Sequence, residues 1–215
     1  MNYIKNYGKE ILSISLFENI KYYLKVKYKL DKKIARNWVG LLHASGTILI
    51  SGSYIILNNY SDDSNKNEND YAWLYNLMKT FSFGYFLNDS LFILRYERLN
   101  PLNLGYLYHH FAACYLLNIG PKLYSDKFIF WGELSNIPIY FIYYYIKKDK
   151  LTFTEECKLG FWKQIQKVLY TGIRIPILGY YTYLGLKSKN NFSDKLLVIP
   201  LYLMGFLWSC KILLK

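Results

Sequence analysis

Apolar blocks of roughly 18 to 25 residues alternate with short charged clusters along the chain, and a helix needs about 20 apolar residues to cross a bilayer core. The blocks run from Trp38 to Leu57, Tyr71 to Leu94, Leu102 to Ile119, Phe128 to Ile146, Val168 to Leu186 and Leu196 to Leu214. They predict an all-α, polytopic integral membrane protein, a bundle of about six transmembrane helices. The short alternating segments that build a barrel are absent from the pattern. Two regions follow: a basic N-terminal segment over residues 1–35 and a transmembrane domain over residues 36–215. Within the first, Glu10 to Leu24 mixes Ile, Leu, Phe and Tyr with Glu18, Asn19 and Lys21, which reads as an interfacial amphipathic helix. Lys5, Lys9 and Glu10 ahead of an apolar run broken at Glu18 do not make a cleavable signal peptide.

Composition strengthens the membrane reading, with 53% hydrophobic residues, 20% aromatic residues and 24 Tyr. Heavy use of Lys, Asn, Ile and Tyr also fits an AT-rich genome, such as that of a protist or a large DNA virus. A net charge of +12 raises the question of nucleic acid, and the placement of the 27 Lys and Arg answers it. With both termini cytoplasmic, nineteen of them fall on the cytoplasmic side, six on the other side, and Lys79 and Arg174 within spans. That is the positive-inside distribution, so the charge sets topology and attracts anionic lipid, and no nucleic-acid partner is expected. The loop from Asn58 to Asp70, acidic and nearly free of apolar residues, should be exposed on the non-cytoplasmic side.

Against this apolar background a few polar residues stand out, because an ionisable group near the bilayer centre costs about 2.5 kcal/mol or more. The adjacent His109 and His110 sit mid-block and are two of only three histidines. In the first block Gly40, His43, Thr47 and Ser51 recur at three- and four-residue spacing and form one small, polar stripe. Asp89 lies about four-fifths along the second block, and the short turn from Arg95 to Pro101 places it at a depth comparable with that of the histidine pair. Neighbouring helix positions diverge by about 100°, so only one of the two histidines can face a given partner. The fourth block holds Glu133, Asn136 and Pro138, the fifth Arg174 beside Pro176, and the sixth Pro200. Each proline removes a backbone hydrogen bond and predicts a local break facing protein or a cavity.

Two readings of these groups stand side by side. In one they serve helix packing, with Asp89 pairing a histidine, Glu133 pairing Arg174 and His43 bonding a neighbouring helix. In the other they converge on a site, because five costly groups exceed what packing needs. A carboxylate that orients one imidazole nitrogen leaves the other free as base or nucleophile, a role open to Asp89 with His109 or His110. Three histidines are too few for a metal-dependent lipid hydroxylase or desaturase, so no metal is expected. Serine-hydrolase and dinucleotide motifs are absent. Cys114, Cys157 and Cys210 form neither a metal spacing nor an even disulfide framework.

Five short motifs in order resemble the TLC-domain family of multispanning membrane proteins, which includes the ceramide synthases. They are Arg-Asn-Trp-Val-Gly-Leu-Leu-His ending at His43, Gly-Tyr-Phe-Leu-Asn-Asp-Ser-Leu around Asp89, Tyr-His-His-Phe-Ala-Ala around His109 and His110, Trp-Gly-Glu-Leu-Ser-Asn-Ile-Pro around Glu133, and Gly-Ile-Arg-Ile-Pro around Arg174. The match spans Arg36 to about Leu214 and is most similar to the shorter TLC-domain-containing branch. It implies a helix bundle around a lipid-accommodating cavity, in the endoplasmic reticulum or another endomembrane, or a host membrane if the source is viral. Membrane lipids and fatty acyl chains are the implied partners, with no cofactor. By analogy with the ceramide synthases, His109 or His110 would be catalytic with Asp89 as orienter and acyl-CoA as co-substrate, while His43, Glu133, Asn136 and Arg174 would support the cavity. Downstream of the pair, where ceramide synthases carry further aspartates, this chain has Glu133, Leu134, Ser135 and Asn136. The leading expectation is therefore membrane lipid homeostasis, through binding or modifying acyl lipids, with acyl-CoA-dependent N-acyl transfer as the alternative. The sequence leaves the oligomeric state open.

Overall fold

A computed structural model describes residues 2–60, 71–119, 124–188 and 192–214, and these are helical with short links. The helices are α1 (Asn2–Lys27), α2 (Lys32–Tyr60), α3 (Ala72–Tyr96), α4 (Pro101–Ile119), α5 (Ser125–Ile146), α6 (Phe153–Leu169), α7 (Leu178–Lys187) and α8 (Phe192–Leu213). A π-helical stretch, Tyr170–Ile177, joins α6 to α7 in one continuous rod. Each predicted apolar block falls on one helix or on this rod. Two helices are long and apolar enough to cross a membrane, α2 over Lys32–Asn58 and α8 over Lys195–Leu213. Most of the acidic loop predicted from Asn58 to Asp70 lies outside the described residues; Asn58 to Tyr60 belong to α2.

Local chemistry sets several boundaries. Asp31 accepts the backbone N–H of Lys33 at 2.8 Å and starts α2. Asn100 accepts the backbone N–H of Asn103 at 2.9 Å, and Pro101 in the first helical position needs no N–H partner. Thr152 and Glu155 form a reciprocal capping box at the start of α6. Glu155 also accepts a hydrogen bond from Lys148, which, with the Thr152 backbone N–H, holds its carboxyl down at about 2.

The prolines behave unequally. Helical winding continues through Pro138 and Pro200. At Pro176, which cannot donate to the turn before it, the winding widens and the N–H of Leu178 reaches the carbonyl of Ile173, five residues back.

The N-terminal segment differs from expectation. Read from sequence as an interfacial amphipathic helix from Glu10 to Leu24, it forms the longer α1, which packs lengthwise on α3 and runs parallel to it. Ser13 donates to the carbonyl of Phe81 at 3.4 Å, Asn88 donates to Glu18 at 2.8 Å, and Lys21 donates to Asn88 at 3.1 Å, a constant offset along both helices. Gly84 permits the approach, because a Cβ there would lie 2.1 Å from Ser13 Oγ and 2.8 Å from the Ser13 backbone. Phe17 of α1 is fully buried against Phe81 and Tyr85. Around it the core gathers Val39, Met78, Phe86 and Leu117 from α2, α3 and α4. At the other end of the bundle Tyr75 of α3 donates to the carbonyl of Leu117 at 3.0 Å and meets Ser125 of α5 at 2.8 Å.

The small, polar stripe of α2 faces inward, with His43, Thr47 and Ser51 fully buried. Gly40 backs onto Tyr140 of α5, where a Cβ would come within 2.5 Å of the ring, and Thr47 meets Ser82 of α3 at 3.2 Å. Outward, α2, α3, α4 and α8 expose Leu49, Ile56, Leu94, Phe111 and Leu207.

Candidate functional site

The polar residues of α2 through α5, the π stretch and the end of α8 meet around one cavity of about 990 Å³. Its wall includes six of the seven residues singled out from sequence, namely Asp89, His109, His110, Glu133, Asn136 and Arg174, while His43 stands behind it. At one end the lining gathers five lysines, Lys33 of α2, Lys147 just after α5, Lys163 and Lys167 of α6 and Lys211 of α8, together with Gln164, Gln166 and a single carboxylate, Glu97, which pairs Lys33 at 3.1 Å. A second cavity, about 70 Å³, is walled mainly by apolar side chains such as Ala113, Leu116, Phe128 and Leu201. Both share Phe86, His109, Glu133, Asn136 and Arg174, so the two spaces meet at a polar belt.

Asp89 has a partner that the sequence reading counted only as a flanking charge. Arg36, one turn before Gly40 on the inward stripe, donates to both Asp89 oxygens, at 2.5 and 2.7 Å. The spacing of Arg36, Gly40 and His43, four and three residues, was the available signal, since it puts all three on one helix face. His110 Nε2 stands 3.7 Å from Asp89, beyond hydrogen-bond reach, and its Nδ1 meets Ser90 Oγ at 3.1 Å. The neighbouring ring points elsewhere. His109 faces Trp208 of α8, centroids 6.2 Å apart, and its Nδ1 has no hydrogen-bond partner. The divergence expected of adjacent helix positions is thus realised, with His110 turned to α3 and His109 to α8.

His43 belongs to an aromatic stack rather than to a hydrogen-bonded network. Its ring lies 4.0 Å from that of Tyr85, nearly parallel at 9°, with Phe81 stacked at 5.7 Å. Glu133 Oε1 is 3.9 Å from its Nδ1, and neither ring nitrogen makes a hydrogen bond. The bond to a neighbouring helix expected in the packing reading is not formed.

Glu133 and Arg174 do not pair directly either. Asn136 stands between them, donating to Glu133 at 3.3 Å and accepting from Arg174 at 2.7 Å and from the Tyr170 hydroxyl at 3.2 Å. Arg174 also donates through Nε to Ser135 at 2.9 Å and lies over the Tyr170 ring at 4.3 Å. The widened π turn buries Tyr170, Ile173 and Arg174 together. Ser90, Ser135, Tyr170 and Trp208 were not singled out by sequence reasoning, because one hydroxyl or aromatic residue in a chain so rich in them carries no signal.

Among the described residues, no three His, Cys, Asp or Glu side chains gather as a metal-binding group, and all three cysteines are free. Chemically, the belt offers the unbonded Nδ1 of His109, a buried carboxyl and a buried guanidinium, between an apolar pocket and a basic mouth. No protein-family model, curated protein or solved structure matches the chain.

Proposed function

We propose that this chain is a multispanning membrane protein of the TLC-domain type that acts in membrane lipid homeostasis, binding or modifying an acyl lipid inside its bundle. The observation that carries the reading is the arrangement of the cavity, with a basic mouth, a polar belt and an apolar pocket in sequence. An acyl amphiphile has the same order of parts. Asn88 and Asp89 of α3, His110 of α4 and Glu133 and Ser135 of α5 are buried in the bundle, while Leu94 and Phe111 face out, a distribution suited to lipid outside and a polar site inside. The 25 residues of α3 measure about 37 Å, enough to cross.

A parallel partner of a spanning helix cannot lie in the membrane plane. On this reading α1 crosses beside α3, with Ile11, Leu12 and Leu16 toward lipid, and the bundle has seven crossing rods rather than six, which moves the N-terminus to the non-cytoplasmic side while the C-terminus stays cytoplasmic. Lysines at the mouth lie on the cytoplasmic side by the positive-inside rule, and an endoplasmic-reticulum or other endomembrane setting accords with the resemblance.

The test uses Gly132, which lines the apolar pocket and where a Cβ would meet nothing within 4 Å. Protein purified in mild detergent should carry an acyl lipid detectable by mass spectrometry, and Gly132→Leu should reduce its occupancy without unfolding the protein. Absence of acyl lipid, or unchanged occupancy in the variant, overturns the reading.

A second reading, acyl-CoA-dependent N-acyl transfer, is favoured by the buried, unbonded Nδ1 of His109 on the cavity wall. His109 would act as base or acyl acceptor and His110, held by Ser90, would stay fixed. Membranes containing the protein should then N-acylate a sphingoid base from labelled acyl-CoA. Activity unchanged in His109→Ala would remove this alternative.

A further inference from the structure

Arg174 is 5% exposed, and no ion pair joins it to a carboxylate among the described residues. The Glu133 carboxyl is kept one amide away by Asn136. Arginine stays protonated, and a buried charge without a counter-charge is costly. Stacking on Tyr170 and on Trp208, whose ring centroid is 5.9 Å away, eases that cost without neutralising the charge.

The pattern of its donors is informative. Of five N–H groups, Nε donates to Ser135 and one of the NH2 hydrogens to Asn136. These two bonds lock the guanidinium plane. They leave NH1 and the second NH2 hydrogen, a pair of parallel donors spaced for the two oxygens of a carboxylate or phosphate. Arg174 borders both cavities at the polar belt.

We propose that Arg174 is an oxyanion-binding residue and that the ligand of the cavity is an anionic acyl lipid, whose carboxylate or phosphate supplies the missing counter-charge. This rests on the reading of the cavity as an acyl-lipid site and specifies the head group it takes. Asn136 and Ser135 then position the fork rather than neutralise it, and neutral acyl lipids of the same length bind weakly because they leave the guanidinium unpaired.

The experiment compares laurate, dodecyl phosphate and methyl laurate on purified, delipidated protein by native mass spectrometry. A charge-assisted pair predicts that at least one of the two anions binds about tenfold or more tighter than the ester, with the better anion identifying the oxyanion. Arg174→Gln should erase that preference and Arg174→Lys should keep part of it. Equal binding of ester and anions to the unmodified protein overturns the proposal while leaving the acyl-lipid cavity intact, and this comparison stands even if the Gln variant does not fold. Binding of none of the three overturns both.

Discussion

The Arg36–Asp89 pair offers a demanding test of how the bundle is held. Both carboxylate oxygens accept from the guanidinium, at 2.5 and 2.7 Å, while the side chains are 27% and 6% exposed for Arg36 and Asp89. Breaking a buried pair by removing one partner costs about 3–5 kcal/mol, chiefly because the other charge is left uncompensated. Arg36→Met strands the more deeply buried carboxylate and should fall toward the upper end, about 4 kcal/mol. Asp89→Leu strands a guanidinium that still reaches solvent and rests over Phe92 at 5.0 Å, so about 3 kcal/mol is expected. With both replaced no charge remains buried, and the double variant should lie within about 1 kcal/mol of the parent. Unfolding in mixed micelles by added SDS, followed by tryptophan fluorescence, gives the double-mutant cycle. Additive effects, with a coupling below about 0.5 kcal/mol, would refute the claim that the two side chains stabilise the fold through each other.

Other expectations follow from single contacts. Phe17→Ala removes a fully buried ring from the α1–α3 seam and should cost about 3–5 kcal/mol in the same assay; a cost below about 1 kcal/mol would mean that α1 packs elsewhere. Gly84→Ala drives a methyl into Ser13 and should destabilise by about 1–3 kcal/mol, an effect that truncation of Ser13 to Gly should partly relieve. For His43→Leu, lost stacking and the removal of two unbonded ring nitrogens act in opposite directions, so the change should stay within about 1 kcal/mol, and a loss above about 3 kcal/mol would reveal a hydrogen bond to the imidazole. Glu155 has a carboxyl held at about 2, below its ordinary 4.5, by Lys148. The support it gives the start of α6 should therefore be complete above pH 4.5 and disappear as pH falls through about 2, and circular dichroism of Glu155→Gln should lack that acid step.

Much of this molecule was legible in one dimension. Each apolar block lies on a helix because helix formation and burial respond to composition over a window of residues, whereas α6, in the charged stretch after the fourth block, was not foreseen. The short link from Arg95 to Pro101 was enough to place Asp89 level with the histidine pair, since a tight turn lets two helices run only side by side. The inward face of α2 could be read from Gly40, His43, Thr47 and Ser51. What the sequence left open was the choice of partner. Asp89 takes its hydrogen bonds from Arg36, with His110 only within 3.7 Å, His43 stacks between aromatic rings, and Glu133 and Arg174 share Asn136. Each outcome depends on how far a helix is rotated about its axis, and one residue changes that direction by about 100°. The rotation is fixed by distant close fits, Gly40 against Tyr140 and Gly84 against Ser13. The same non-local fit draws the polar α1 along α3, which no count of its own charges could foresee. Local sequence determined which groups are present and at what depth; the packing of helix on helix decided which of them meet, and so left Arg174 at the border of both cavities, bonded to Ser135 and Asn136 and to no carboxylate among the described residues.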